Sequence, residues 1–339
     1  MKMNIAKKEN TKRIEWIDIA KGICIFLVVF GHTGLTGNFA HWLSSFRLPL
    51  FFFVSGILFK SSKYPTLNSF FIKRISTLVI PYIVFSIIIF VWLKFLNNDL
   101  VKVHVNELYF GWQGIALWFI PVLFVTEIFF YKINKYFKFR AYKILALITI
   151  SVLGYICYLN NFHLPFKLEV VFTSVFYYGI GNISGAYIIR FFDRTKFIYL
   201  LSGLFVFFIL GFYLSINIIG KLDLAFNLIG DYCPSYTVAF LGIFFLLLFS
   251  FILSIVNGNV MIKFRNLISF LGKNSYVILA FHQVVSLNLK MILDKTCLNY
   301  FLKSGLRYLI MWIILFGLIV LINNYLPWII GRKYMKSYF

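Results

Sequence analysis

The chain has 339 residues, of which 61% are hydrophobic, 21% aromatic and only 13% charged, with a mean hydropathy of +0.87. A water-soluble domain carries roughly 25% charged residues, so this composition excludes a soluble globule, a disordered chain, a collagen and a coiled coil, and it places the protein in a lipid bilayer. A formal charge of +22 would point to nucleic acid in a soluble protein, but here the placement of the charge on short connections accounts for it.

The apolar residues recur in blocks long enough to cross a ~30 Å hydrocarbon layer as helices, without the alternation of a barrel. In chain order they fall at 17–35, 44–60, 75–96, 115–131, 142–159, 170–189, 197–219, 236–256, 267–289 and 305–330. The expected fold class is an all-α integral membrane protein with about ten transmembrane helices and no appended soluble domain, because no connection exceeds about twenty residues. The second block is the weakest. Its uninterrupted apolar stretch, Leu48 to Phe59, has twelve residues, which predicts a short or half-buried helix packed on the first. Pro81 predicts a kink in the third span. Trp16, Trp118 and Trp328 read as anchors at the membrane interface.

Lys and Arg fall on alternate connections. Twenty-three lie before the first span, after each even-numbered span and at the C-terminus, with Lys60, Lys63, Lys73 and Arg74 among them; seven, including Lys102, Lys167, Lys221 and Arg307, lie on the other connections. This asymmetry predicts both termini in the cytoplasm and explains the net charge by topology and anionic lipid, with no role for nucleic acid. The expected organisation is a basic cytoplasmic tail over 1–14, one transmembrane domain over 15–331 and a short cytoplasmic tail over 332–339. The first block imitates a secretory signal, but Asp18 and Lys21 interrupt it and Gly31-His32 ends it without a small-residue cleavage pattern, so it reads as an uncleaved helix.

Ionisable side chains inside a span cost roughly 2.5 kcal/mol or more near its centre and are functional candidates by default. From Lys21 to His32 is eleven residues, about 20° from three full helical turns, and Asp18 precedes Lys21 by three, so all three are expected on one helix face. The rise sets Lys21 and His32 ~16 Å apart, with Lys21 near the cytoplasmic boundary and His32 in the outer half of the bilayer. His282, in the ninth block, is expected near the level of His32. Glu127, in the fourth, is expected near Lys21, where the two would balance each other's charge. Arg47, Ser55 and Gly56 add polar and small residues where the second helix can approach the first. Lys73 and Arg74 stand where a phosphate-bearing ligand from the cytoplasm would meet the membrane. Cys24, Cys157, Cys233 and Cys297 have no metal spacing and read as free thiols packed as small hydrophobes; the alternative is a disulfide between Cys233 and Cys297, both expected on the outer side. The sequence contains no phosphate-binding glycine loop, no GxSxG and no HExxH, and no metal is implied.

Five segments appear in order: WIDIAKGICIFLVVFGH at 16–32, FRLPLFFFVSGILF at 46–59, FIKRISTLVIPY at 71–82, LWFIPVLF at 117–124 and SYVILAFH at 275–282. With them the chain resembles the acyltransferase 3 family of membrane acyltransferases, in particular its fucose 4-O-acetylase-like and polysaccharide O-acetyltransferase branch. That resemblance implies transfer of an acyl group, usually acetyl from acetyl-CoA, to a hydroxyl of a glycan at or across the membrane. The family's first span usually carries an Arg, ten residues and a His regarded as catalytic, which correspond here to Lys21 and His32. Lys keeps the charge but not the bidentate fork of Arg. Some relatives append an extracellular esterase-like domain, which is not expected here.

The expected function is a multi-pass O-acyltransferase of the cell (inner) membrane. It takes acyl-CoA as donor substrate, binds no permanent cofactor, and has a glycan or lipid-linked saccharide as acceptor. His32 and His282 are the candidate catalytic residues, with His32 as general base or as an acetyl-carrying nucleophile. Lys21, Lys73 and Arg74 are the donor-binding candidates, Asp18 and Glu127 their charge partners, and Arg47 belongs to the acceptor side. The rival reading is a proton-coupled exporter of a glycan or glycolipid that uses the same intramembrane residues as a relay.

Overall fold

The computed structural model describes residues 14–32, 36–95, 116–217 and 222–331; all but the last residue of the expected tail over 1–14, the expected tail over 332–339, Lys102 and Lys221 lie outside the described residues. The described chain forms α1 (Glu15–Gly31), α2 (Asn38–Leu58), α3 (Leu67–Arg74), α4 (Ile80–Phe95), α5 (Phe119–Tyr136) and α6 (Arg140–Leu159). It continues as α7 (Leu168–Arg194), α8 (Phe197–Asn217), α9 (Tyr232–Ile255), α10 (Asn259–Lys273), α11 (Ser275–Asp294) and α12 (Tyr300–Tyr325). Among the described residues, eight helical stretches are long and apolar enough to cross a membrane, which makes this a multi-pass membrane protein. The other two apolar blocks are also helical. They are α1, with 17 residues, and α7, whose apolar run is diluted by Gly179, Gly181, Asn182, Ser184 and Gly185.

Those two helices tolerate polar and small residues because protein, rather than lipid, surrounds them. α1 packs against α2, α9, α10 and α11, and α7 packs against α2, α5 and α6. The outer helices show the opposite pattern, with Ile83, Ile87 and Val91 of α4, Phe205 and Ile209 of α8, and Ile313 and Val320 of α12 exposed, as suits hydrocarbon.

α2 is a full 21-residue helix, which corrects the expectation of a short one. The polar residues that shortened its apolar run face protein and satisfy themselves locally: the Ser44 hydroxyl donates to the His41 carbonyl at 2.8 Å and that of Ser45 to Trp42 at 2.6 Å. Gly56 brings α2 onto α7 rather than α1. A Cβ at Gly56 would overlap the carbonyl of Tyr178, and one at Gly181 would overlap that of Phe53. Asn182 then caps α2 from the side, its amide donating to the carbonyls of Gly56 and Phe59, each at 2.9 Å. Gly56→Val is therefore expected to push the two backbones apart and to cost about 2 kcal/mol or more, read as a lower melting temperature of the detergent-solubilised protein.

Four further expectations are revised. The ninth block straddles a break at Asn274, so its first residues belong to the amphipathic α10 and the apolar helix begins at Ser275. Before Pro81 the chain forms a π-helical turn over Ile75–Val79. Proline has no N–H for the carbonyl four residues back and crowds it, and the wider turn relieves this inside one continuous helical run. Trp16, at 5% exposure among Phe192 and Phe251, and Trp118, at 7%, are buried; only Trp328 of the three is exposed. All four cysteines are free, with Cys24 and Cys157 buried as expected but Cys233 and Cys297 exposed.

Candidate active site

Two cavities lie back to back along α1. The larger, ≈ 360 Å³, is lined by Lys21 of α1, Ser55 of α2, Lys60 and Lys63 from the turn after α2, Arg74 of α3 and Glu127 of α5. The smaller, ≈ 140 Å³, is lined by His32, Arg47, Trp118, Asp223 and Gln283. Phe119 and Leu279 belong to the walls of both. The first cavity thus gathers four cationic side chains and one carboxylate. The second holds an imidazole, a guanidinium, a carboxylate and an indole.

In the basic cavity Arg74 Nε lies 2.8 Å from Glu127 Oε2, although the N–H does not point along the contact, so attraction of charges holds the pair rather than an aligned hydrogen bond. The Tyr178 hydroxyl donates to the other carboxylate oxygen at 3.4 Å, and the Arg74 guanidinium sits 5.7 Å from the Tyr64 ring centre and 5.8 Å from that of Phe70. Arg74 thus stands as an ion-pair partner of Glu127, and Lys21, the partner expected from the sequence, lines the same cavity with both. Lys73, one residue and about 100° around the helix from Arg74, is exposed and does not line the cavity. Asp18 is also turned away from the Lys21 cavity. It lines a separate space of ≈ 410 Å³ with Glu15, Asn266, Ser269, Phe270 and Lys273. Three residues of helix are −60° rather than zero, and the close crossing of α1 with α10, where a Cβ at Gly272 would overlap the Asp18 carbonyl, places that edge against α10.

His32 is the C-cap of α1, and its backbone N–H donates to the Val29 carbonyl at 3.1 Å. Gly31 leaves the space that Arg47 fills, since a Cβ there would overlap the guanidinium. His282 of α11 stands beside it, the two imidazole centres 5.1 Å apart at 50°. His282 is fully buried and lines neither cavity, so it meets His32 rather than anything the chamber holds. Lys167, 7% exposed, closes the chamber from behind: its ammonium donates to the Ala225 carbonyl at 2.8 Å and lies 5.3 Å from the Trp118 ring centre.

Sequence reasoning missed Lys60 and Lys63, which it absorbed into the topology count, and Asp223 and Gln283 altogether. Gln283 carried a signal, an amide beside a histidine within an apolar run. Asp223 sits in a loop, where a polar residue signals nothing.

The fold and the paired cavities define a polytopic membrane protein with a charged pocket and an imidazole chamber in one helical bundle. The family model described as an acyltransferase domain, that of the acyltransferase 3 family, matches residues 14–332, and the chain belongs to that family. No match was found among curated proteins or solved structures.

Proposed function

We propose that this membrane acyltransferase moves an acetyl or similar acyl group from acyl-CoA, bound from the cytoplasm, to a hydroxyl of a cell-surface or lipid-linked glycan. The observation that carries this reading is the shared wall. A cavity with Lys21, Lys60, Lys63 and Arg74, suited to the phosphates of a CoA donor, abuts the chamber of His32 through Phe119 and Leu279. The topology that fits is ten crossings with both termini and the basic cavity on the cytoplasmic side of the cell membrane, where anionic lipids face the basic loops.

In this mechanism the acceptor hydroxyl attacks the thioester carbonyl, forming the ester C–O bond as the C–S bond breaks. His32 takes the hydroxyl proton, and the CoA thiolate is protonated in turn. Arg47, Asp223 and Trp118 supply the polar and aromatic surfaces that a sugar ring needs. His282, in ring contact with His32, is placed to pass a proton rather than to hold the acceptor. The test uses purified protein in lipid nanodiscs with radiolabelled acetyl-CoA and cell-envelope glycans as acceptor. Label is expected in the glycan, and export of unmodified glycan without acyl transfer would replace this reading by the transporter.

Lys21 is assigned to the donor. A charge-assisted contact is worth about 1.5–3 kcal/mol, so Lys21→Ala is expected to weaken acetyl-CoA binding on the order of tenfold or more, and Lys21→Arg to retain most of it. Calorimetric titration of the three proteins with acetyl-CoA decides it, and unchanged affinity in Lys21→Ala would remove the residue from the donor site.

A further inference from the structure

Gln283 follows His282 on α11, and its carboxamide bridges two elements. The backbone N–H of Ala116, at the start of the turn before α5, donates to Gln283 Oε1. On the other side Gln283 Nε2 lies 3.2 Å from His32 Nδ1. A peptide N–H only donates, so the amide oxygen must face Ala116 and the NH₂ group must face the imidazole. An NH₂ group in turn only donates, so His32 Nδ1 must offer a lone pair. The neutral ring then carries its proton on Nε2.

The neighbouring imidazole is fixed the opposite way. His282 Nδ1 lies 2.9 Å from the Ile278 carbonyl and 3.0 Å from that of Leu279, and carbonyls only accept, so this nitrogen carries the proton. Its Nε2 is a buried lone pair without a hydrogen-bond partner among the described residues. Two rings 5.1 Å apart are thus opposite tautomers, one with a proton on Nε2 and the other with a vacancy there.

We propose that Gln283 is a positioning residue that sets the tautomer of His32, so that Nδ1, and not Nε2, is the nitrogen that receives the acceptor's proton. The acceptor hydroxyl takes the place of the Gln283 amide at Nδ1. As the proton arrives there, the ring becomes an imidazolium that keeps its Nε2–H, with the His282 ring centre 5.1 Å from its own. The assignment rests on the reading of His32 as the base, but the tautomer is measurable without turnover.

The experiment is nitrogen NMR of ¹⁵N-histidine-labelled protein in nanodiscs, with the His32 signal identified by its loss in His32→Ala. Wild type is expected to show neutral His32 protonated at Nε2. Gln283→Glu, whose carboxylate accepts from both Ala116 N–H and the ring, is expected to move the proton to Nδ1. Gln283→Leu is expected to give a mixture. A wild-type His32 protonated at Nδ1, or a pattern unchanged in Gln283→Glu, overturns the proposal. A parallel assay follows acetyl-CoA consumption with water as acceptor. Because an imidazole held in the wrong tautomer loses as much as ~10⁴-fold in rate, Gln283→Glu is expected to lower kcat at least tenfold with KM for acetyl-CoA unchanged. A fall in affinity alone would make Gln283 part of the donor site instead. A tautomer that shifts as expected in a protein whose His32→Ala variant is fully active would refute the base role of His32, and with it the assignment of Nδ1.

Discussion

Replacing His32 with alanine is expected to lower acyl transfer from acetyl-CoA by two to four orders of magnitude, about what removal of a general base costs. The fold should be unaffected. His32 caps α1 through its backbone, its side chain opens onto the chamber, and its hydrogen-bonding partner there is Gln283, so the substitution buries no new orphan of consequence. Acyl transfer is compared between variant and wild type at matched membrane content and melting temperature. A variant that inserts normally and keeps more than a tenth of the activity shows that the proton goes elsewhere. The contrast is His282→Ala, which empties a fully buried position and is expected to lose stability as well as rate, because a cavity is left in a packed interior.

Glu127→Leu is expected to destabilise the protein by about 3 kcal/mol, since removing one member of a buried ion pair leaves the other charge without compensation. Glu127 is 3% exposed, while the Arg74 side chain, at 21%, reaches the cavity and is partly screened, which places the cost at the lower end of the range for such pairs. Arg74→Leu should cost a similar amount, and the double variant should recover part of it, the signature of direct coupling. Donor binding separates two roles of Arg74. If it also meets the CoA phosphates, Arg74→Leu and the double variant lose acetyl-CoA affinity and Glu127→Leu does not. Thermal unfolding in detergent and acetyl-CoA titration of the four proteins give both answers. Additive losses of stability would show that the pair is not coupled.

Much of the architecture follows from composition alone. In a bilayer the backbone must satisfy itself, so apolar blocks of sufficient length become helices, and among the described residues all ten blocks are largely helical, the ninth divided between α10 and α11. The helical repeat also gives depth. Counting residues from the ends of their spans sets His32 and His282 at one level, and their rings lie 5.1 Å apart; the same count sets Lys21 and Glu127 at another, and both line the basic cavity. Depth is legible because 1.5 Å per residue accumulates along a chain whose ends are pinned by the interface.

The rotation of each helix and its choice of neighbour are not legible in this way, because they depend on which backbones approach most closely. The glycines decide this: Gly56 and Gly181 seat α2 on α7, and Gly22 and Gly272 seat α1 on α10. Small rotations then turn Asp18 away from the Lys21 cavity and give Glu127 to Arg74. They also bring Gln283 between His32 and a peptide N–H at the start of the turn before α5. By itself the sequence determined a helical membrane protein of the acyltransferase 3 family, with Lys21 and His32 on one helix at a fixed separation. Only the tertiary structure decided which side chains face each cavity and which nitrogen of His32 meets the Gln283 amide, because a hydrogen bond is set by a few tenths of an ångström between residues far apart in the chain.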